Sequence, residues 1–113
     1  MKNADAICLV LTTWPEGDPA PLARALVDAR LAACVHVFET GTSIYRWEGA
    51  VETARERQVA IKTTRGTLGA LEALVRARHP FTVPEWLVIE ATAAEAYGRW
   101  IRDAVGAAGP GAR

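Results

Sequence analysis

The sequence predicts an α+β domain with the order β-α-β-β-α-β and one further C-terminal helix, the split βαβ or ferredoxin-like sandwich. Three observations predict it. The apolar spacing alternates between period two and period 3.6 in that order along the chain. The two central strand-like runs are long and joined by a single tight turn, which makes a β-hairpin. A length of 113 residues, with no internal repeat or linker, suits one domain around one core.

The elements follow in order. Residues 6–13, "AICLVLTT", form a β-rich run closed by the turn cluster "WPEGDP". Asp18 followed by Pro19 opens a helix, because proline fits the first turn. Leu22, Ala25, Leu26 and Ala29 then share one helical face. From Cys34 the period becomes two: Cys34, His36 and Phe38 point one way, Val35 and Val37 the other. The hairpin turns near "WEGA" and returns through "AVETARERQVAIKTT", with Val59 and Ile61 on one face and Gln58, Ala60 and Lys62 on the other. Its length leaves bare edges for something to pair with.

Gly66 ends the hairpin. Leu68, Leu71, Leu74 and Val75 restore helical spacing until Pro80 stops the helix at or just before His79. "PEWLVIEA" predicts a fourth, buried strand. Thr92 and Glu95 have capping-box spacing for a last helix, with Tyr97, Trp100, Ile101 and Ala104 on one face. The domain is expected over residues 1–105, with "GAAGPGAR" (106–113) as a disordered tail. Right-handed crossovers place the two main helices on one face of the sheet. The other face is expected to be covered by the last helix or by another subunit, since bare apolar surface costs roughly 25 cal/mol per Å².

Thirteen basic residues balance thirteen acidic ones, so no charge excess points to nucleic acid or to a membrane surface. The first apolar run is too short to span a bilayer and lacks the flanks of a secretory signal. These features predict a cytoplasmic protein. Cys8 and Cys34, the only two cysteines, are expected as free thiols in a reducing compartment. Phosphate-loop, dinucleotide, nucleophile-elbow and H-E-x-x-H motifs are all missing from the sequence. No enzyme is therefore predicted.

Five segments resemble one family in its order and spacing: "RLAACVHV" (30–37), "SIYRWEG" (43–49), "AIKTT" (60–64), "HPFTVPE" (79–85) and "YGRWI" (97–101). The chain is similar over residues 6–105 to the CutA family, the divalent-cation tolerance proteins. The resemblance implies a homotrimer whose long hairpins extend sheets across subunit boundaries. It also implies a contribution to tolerance of copper and other divalent cations, by weak metal binding between subunits. The family's trimer resembles the PII signalling proteins, so the other reading is an adaptor that binds a small molecule and a partner protein. No cofactor is required in either reading; copper(II) or another divalent cation is the expected ligand. Some members carry a cysteine near the end of the first strand and a second histidine before the HP pair. Thr12 and Arg78 stand at those positions here, and Phe81 stands where the family usually has tyrosine.

The chemistry-bearing residues follow from this frame. His79 has three readings: a ligand for copper or zinc, a loop histidine that fixes the turn before Pro80, or an acid–base group. Cys34 and His36 form a C-x-H pair on one strand face, with Cys34 read either as a metal ligand or as core packing. Tyr45 and Trp47, beside Glu48 at the hairpin turn, are expected at a subunit interface. Lys62 and Glu85 are expected near His79, in a small polar cluster within a cleft between subunits.

Overall fold

The computed structural model describes residues 3–15 and 17–106; the tail beyond Gly106 lies outside the described residues. The elements are β1 (Ile7–Trp14), α1 (Ala20–Asp28), β2 (Cys34–Trp47), β3 (Ala50–Thr64), a 3-10 turn at Arg65–Thr67, α2 (Leu68–Arg78), β4 (Leu87–Glu90) and α3 (Glu95–Ala104). The strands form one antiparallel sheet in the order β2-β3-β1-β4. Each crossover therefore skips a strand, as the element order predicted.

Local chemistry accounts for the boundaries. Asp18 accepts the Ala20 N–H at 2.9 Å and so supports the start of α1, while Pro19 occupies the N-cap position. Helix α2 stops at Arg78 because Pro80 holds His79 in extended backbone, φ −74° and ψ 136°. The hairpin turn falls on Glu48 and Gly49, both at positive φ. Paired positive φ angles match the right-handed twist of the flanking strands.

Two expectations change. The Thr92–Glu95 capping box does not form: α3 starts at Glu95 behind Ala94, with no side-chain cap. The Ala91 N–H still bonds to the Ile7 carbonyl at 3.0 Å, so the chain leaves the sheet only at 92–94. Strand β4, expected to be buried, is exposed along its whole length, with Leu87 at 53% and Ile89 at 46%. It lies at the sheet edge and pairs only with β1. Its apolar side chains stay about half-exposed in the single chain.

Helices α1 and α2 cover one face of the sheet. Leu22, Leu26, Leu71 and Val75 pack there on Val10, Val59 and Ile61. Helix α3 covers only one end of the opposite face, where Ile101 and Val105 meet Ile7 and Ala33. Pairing register assigns Leu9, Leu11, Ala60, Lys62, Leu87, Ile89, Cys34 and His36 to this second, open face. Cys8 belongs to the helix-covered face, so the two thiols point to opposite sides of the sheet and no disulfide joins them.

One arginine ties α3 to the domain. Arg30, at φ 60°, donates from Nε to the Gly106 carbonyl at 3.0 Å and from an η nitrogen to the Asp103 carbonyl at 2.9 Å. A cation bonded to the last carbonyls of a helix satisfies orphan acceptors and opposes the macrodipole. Arg30→Ala is expected to speed amide hydrogen exchange in α3 about tenfold, from a loss of ~1–2 kcal/mol. Unchanged exchange would show that apolar packing alone holds the helix.

Candidate functional site

The site is built around the segment from His79 to Trp86, which connects α2 to β4 along the end of β1. His79 is buried at the helix C-cap. Its Nδ1 accepts the Phe81 N–H at 3.0 Å, which makes Nε2 the protonated nitrogen that donates to the Thr13 carbonyl at 2.8 Å. The ring stands edge-on to Trp14, with centroids 4.9 Å apart, and lies 5.3 Å from the Phe81 ring. Both nitrogens are thus committed inside the chain, and neither offers a lone pair to a metal. Of the three readings, the geometry supports the loop clamp.

Glu85 is fixed by a different residue from the one expected. Gln58 donates from its amide nitrogen to Glu85 Oε2 at 2.7 Å and to the Thr12 carbonyl at 2.8 Å. Gln58 is the partner of Thr13 across the β1–β3 ladder, whereas Lys62 is the partner of Leu9. The four-residue offset is roughly 13 Å along a strand. Lys62 instead donates to the Tyr97 hydroxyl at 3.2 Å, with its charge 5.5 Å from that ring's centre. The expected His79–Lys62–Glu85 cluster is therefore not formed: Lys62 serves the α3 end of the open face and Glu85 the other end.

Cys34 pairs with Lys62 across β2–β3 and belongs to that same α3 end. It cannot share an ion with His79 in one chain. It does share the open face with His36, whose ring packs edge-on against Phe38 at 4.6 Å. Among the described residues no three or more His, Cys, Asp or Glu side chains gather where they could hold a metal. The described residues of one chain therefore gather at most two such side chains in any one place.

Arg78 is exposed at the end of α2, and Thr12 is buried on the helix-covered face. The Thr12 hydroxyl has no hydrogen-bond partner among the described residues. Since an unpaired buried hydroxyl costs stability, Thr12→Val is expected to raise stability by ~1 kcal/mol, read from urea unfolding. A loss of that size would mean that the hydroxyl is satisfied in solution.

Register between β2 and β3 shifts between Val37 and Thr40. One extra residue in β2 makes a bulge opposite Gln58, and bulges bend and twist a hairpin. Beyond it, Ser43, Tyr45 and Trp47 line a groove of about 540 Å³ together with Glu56 on β3, Thr13 on β1 and residues 81–83 and 85 of the loop. Tyr45, Trp47 and Glu85 thus do meet, as half-exposed walls of one groove. Thr13, Glu56 and Gln58 escaped the sequence reading. Only Gln58 had a local signal, through its alternation with Ala60 and Lys62.

The family model described as CutA1 divalent ion tolerance protein matches residues 8–104. The chain belongs to that family. A divalent-cation tolerance protein CutA of Thermus thermophilus is 41% identical over 100 residues, covering 87% of this chain and 97% of the relative. The human protein CutA is 39% identical over 82 residues, which cover 72% of this chain and 46% of the human one. Among solved structures, the Thermus thermophilus divalent cation tolerance protein superposes with a TM-score of 0.84 at 40% identity, covering 88% of this chain and 99% of that one. CutA from Synechococcus elongatus superposes at 0.82 with 37% identity, over 94% and 95% of the two chains. At such identities the CutA1 fold, with its four antiparallel strands and three helices, is shared throughout.

Proposed function

We propose that this CutA1-family chain contributes to divalent-cation tolerance, copper included, as a cytoplasmic homotrimer that binds the ion weakly and catalyses no reaction. The observation that carries the assembly is the open face: Leu87, Ile89 and the outer edges of β2 and β4 lie uncovered in a single chain. Two different unpaired edges suit head-to-tail pairing between copies, which closes into a ring. The number three comes from the family resemblance. No helix among the described residues is long and apolar enough to cross a membrane.

For the metal, the residue pair best placed is Cys34 with His36. Both face the side that neighbouring copies are proposed to cover, and thiolate with imidazole suits copper or zinc. Two ligands per chain are too few, so a neighbour would complete the set. Equilibrium dialysis against copper(II), read as metal per chain, tests this. Cys34→Ser and His36→Ala are expected to abolish saturable uptake, and His79→Ala to retain it while the chain stays folded. Uptake that survives both substitutions on the open face sinks the assignment.

A second reading is favoured by the groove beside Glu85. An apolar cleft with a few fixed polar groups is what small-molecule sites are made of. On this reading the trimer is a PII-like adaptor, which takes a small ligand in the groove and presents a changed surface to a partner protein.

A further inference from the structure

We propose that the groove between the hairpin and the 81–85 loop binds an organic cation with an apolar, flat body, of the aryl-alkyl ammonium class. The proposal rests on the second reading above, that this groove takes a small molecule, and names the ligand's chemistry.

Charge is the first argument. Among the described residues, Glu56 and Glu85 are the only charged side chains that line the groove. The nearest arginines on β3 are turned to the other face: Arg55 donates to the Thr42 hydroxyl at 2.9 Å and Arg57 to the Phe38 carbonyl at 3.3 Å. Two carboxylates on one concave surface repel each other and any anion, and a cation between them relieves that repulsion. Glu85 is also pre-positioned, because the Gln58 amide holds one of its oxygens and is itself held by the Thr12 carbonyl. A fixed carboxylate loses little freedom when a ligand arrives.

The walls supply the second argument. Tyr45, Trp47 and Phe81 are 42%, 51% and 44% exposed, an aromatic surface about half open in the single chain. Aromatic faces attract cations, quaternary ammonium groups above all, and also stack on flat apolar bodies. The volume, about 540 Å³, suits an organic molecule and far exceeds a hydrated metal ion. Thr13, only 7% exposed, lines the same groove.

The test is calorimetric titration of the full chain in its native assembly with benzyltrimethylammonium and with N-benzylacetamide, which is uncharged and of similar size. The cation is expected to bind saturably and about tenfold more tightly than the amide at low ionic strength. Glu56→Gln and Glu85→Gln should each weaken the cation about fivefold and leave the amide unchanged. Trp47→Ala should weaken both probes. Equal affinity for the two probes would overturn the cationic class while leaving a small-molecule groove in place. Binding of neither, as when a neighbouring copy fills the groove, overturns both the class and the reading beneath it.

Discussion

His79→Ala is expected to lower stability by ~3–4 kcal/mol, measured by urea unfolding at matched protein concentration. Removing the ring orphans two backbone groups at once, the Thr13 carbonyl and the Phe81 N–H. Each unpaired buried group costs about 1–3 kcal/mol. The ring also packs on Trp14, so its loss leaves a void at the junction of α2, β1 and the loop. The loop from Pro80 to Trp86 then loses its anchor, while Glu85 keeps Gln58 as a tether. A change smaller than ~0.5 kcal/mol, with the fold intact, would show that His79 is no clamp. Copper uptake measured on the same variant separates the clamp from a ligand role, since only a ligand's loss changes metal per chain.

Ile89→Asp is expected to shift the assembled protein to single chains at micromolar concentration, measured by sedimentation equilibrium. In one chain Ile89 is half-exposed on an edge strand, so aspartate there leaves the monomer fold almost untouched. In the proposed trimer the same carboxylate is buried against a neighbour without a partner, at a cost of several kcal/mol per ion. Unchanged far-ultraviolet circular dichroism alongside the lower mass is the expected signature. A wild-type protein that is already monomeric at these concentrations removes the trimer from the proposal; a variant that remains trimeric shows that the β4 face is not the contact between copies.

Much of the candidate site was legible in residues close in the chain. Pro80 sets the extended backbone of His79 and ends α2, because the ring of proline disfavours helical geometry in the residue before it. Tyr45 and Trp47 are expected at a subunit interface and Glu85 in a cleft between subunits; within one chain all three line the same groove. The partners of His79 and Glu85 were not legible. Thr13 lies 66 positions from His79, and Gln58 lies 27 from Glu85. No local pattern reports a bond of that span. Lys62 was misplaced for the same reason: its nearness to His79 was inferred from chain order, while the ladder puts it four residues from Gln58.

The bulge shows the limit most clearly. Unbroken alternation from Val35 carries Tyr45 and Trp47 to the helix-covered side of the sheet. The extra residue between Val37 and Thr40 reverses that parity and brings both onto the face of Glu56 and Thr13. By itself, then, the amino-acid sequence determined the family, the order of elements, the hairpin turn and the end of α2. These depend on periodicity, turn residues and proline, which act over a few neighbouring positions. Only the tertiary structure decided which groups His79, Lys62 and Glu85 bond, which face of the hairpin lines a groove, and that β4 lies uncovered at an edge. Those outcomes depend on strand register and on contacts between distant segments, where a one-residue slip turns every side chain to the other face.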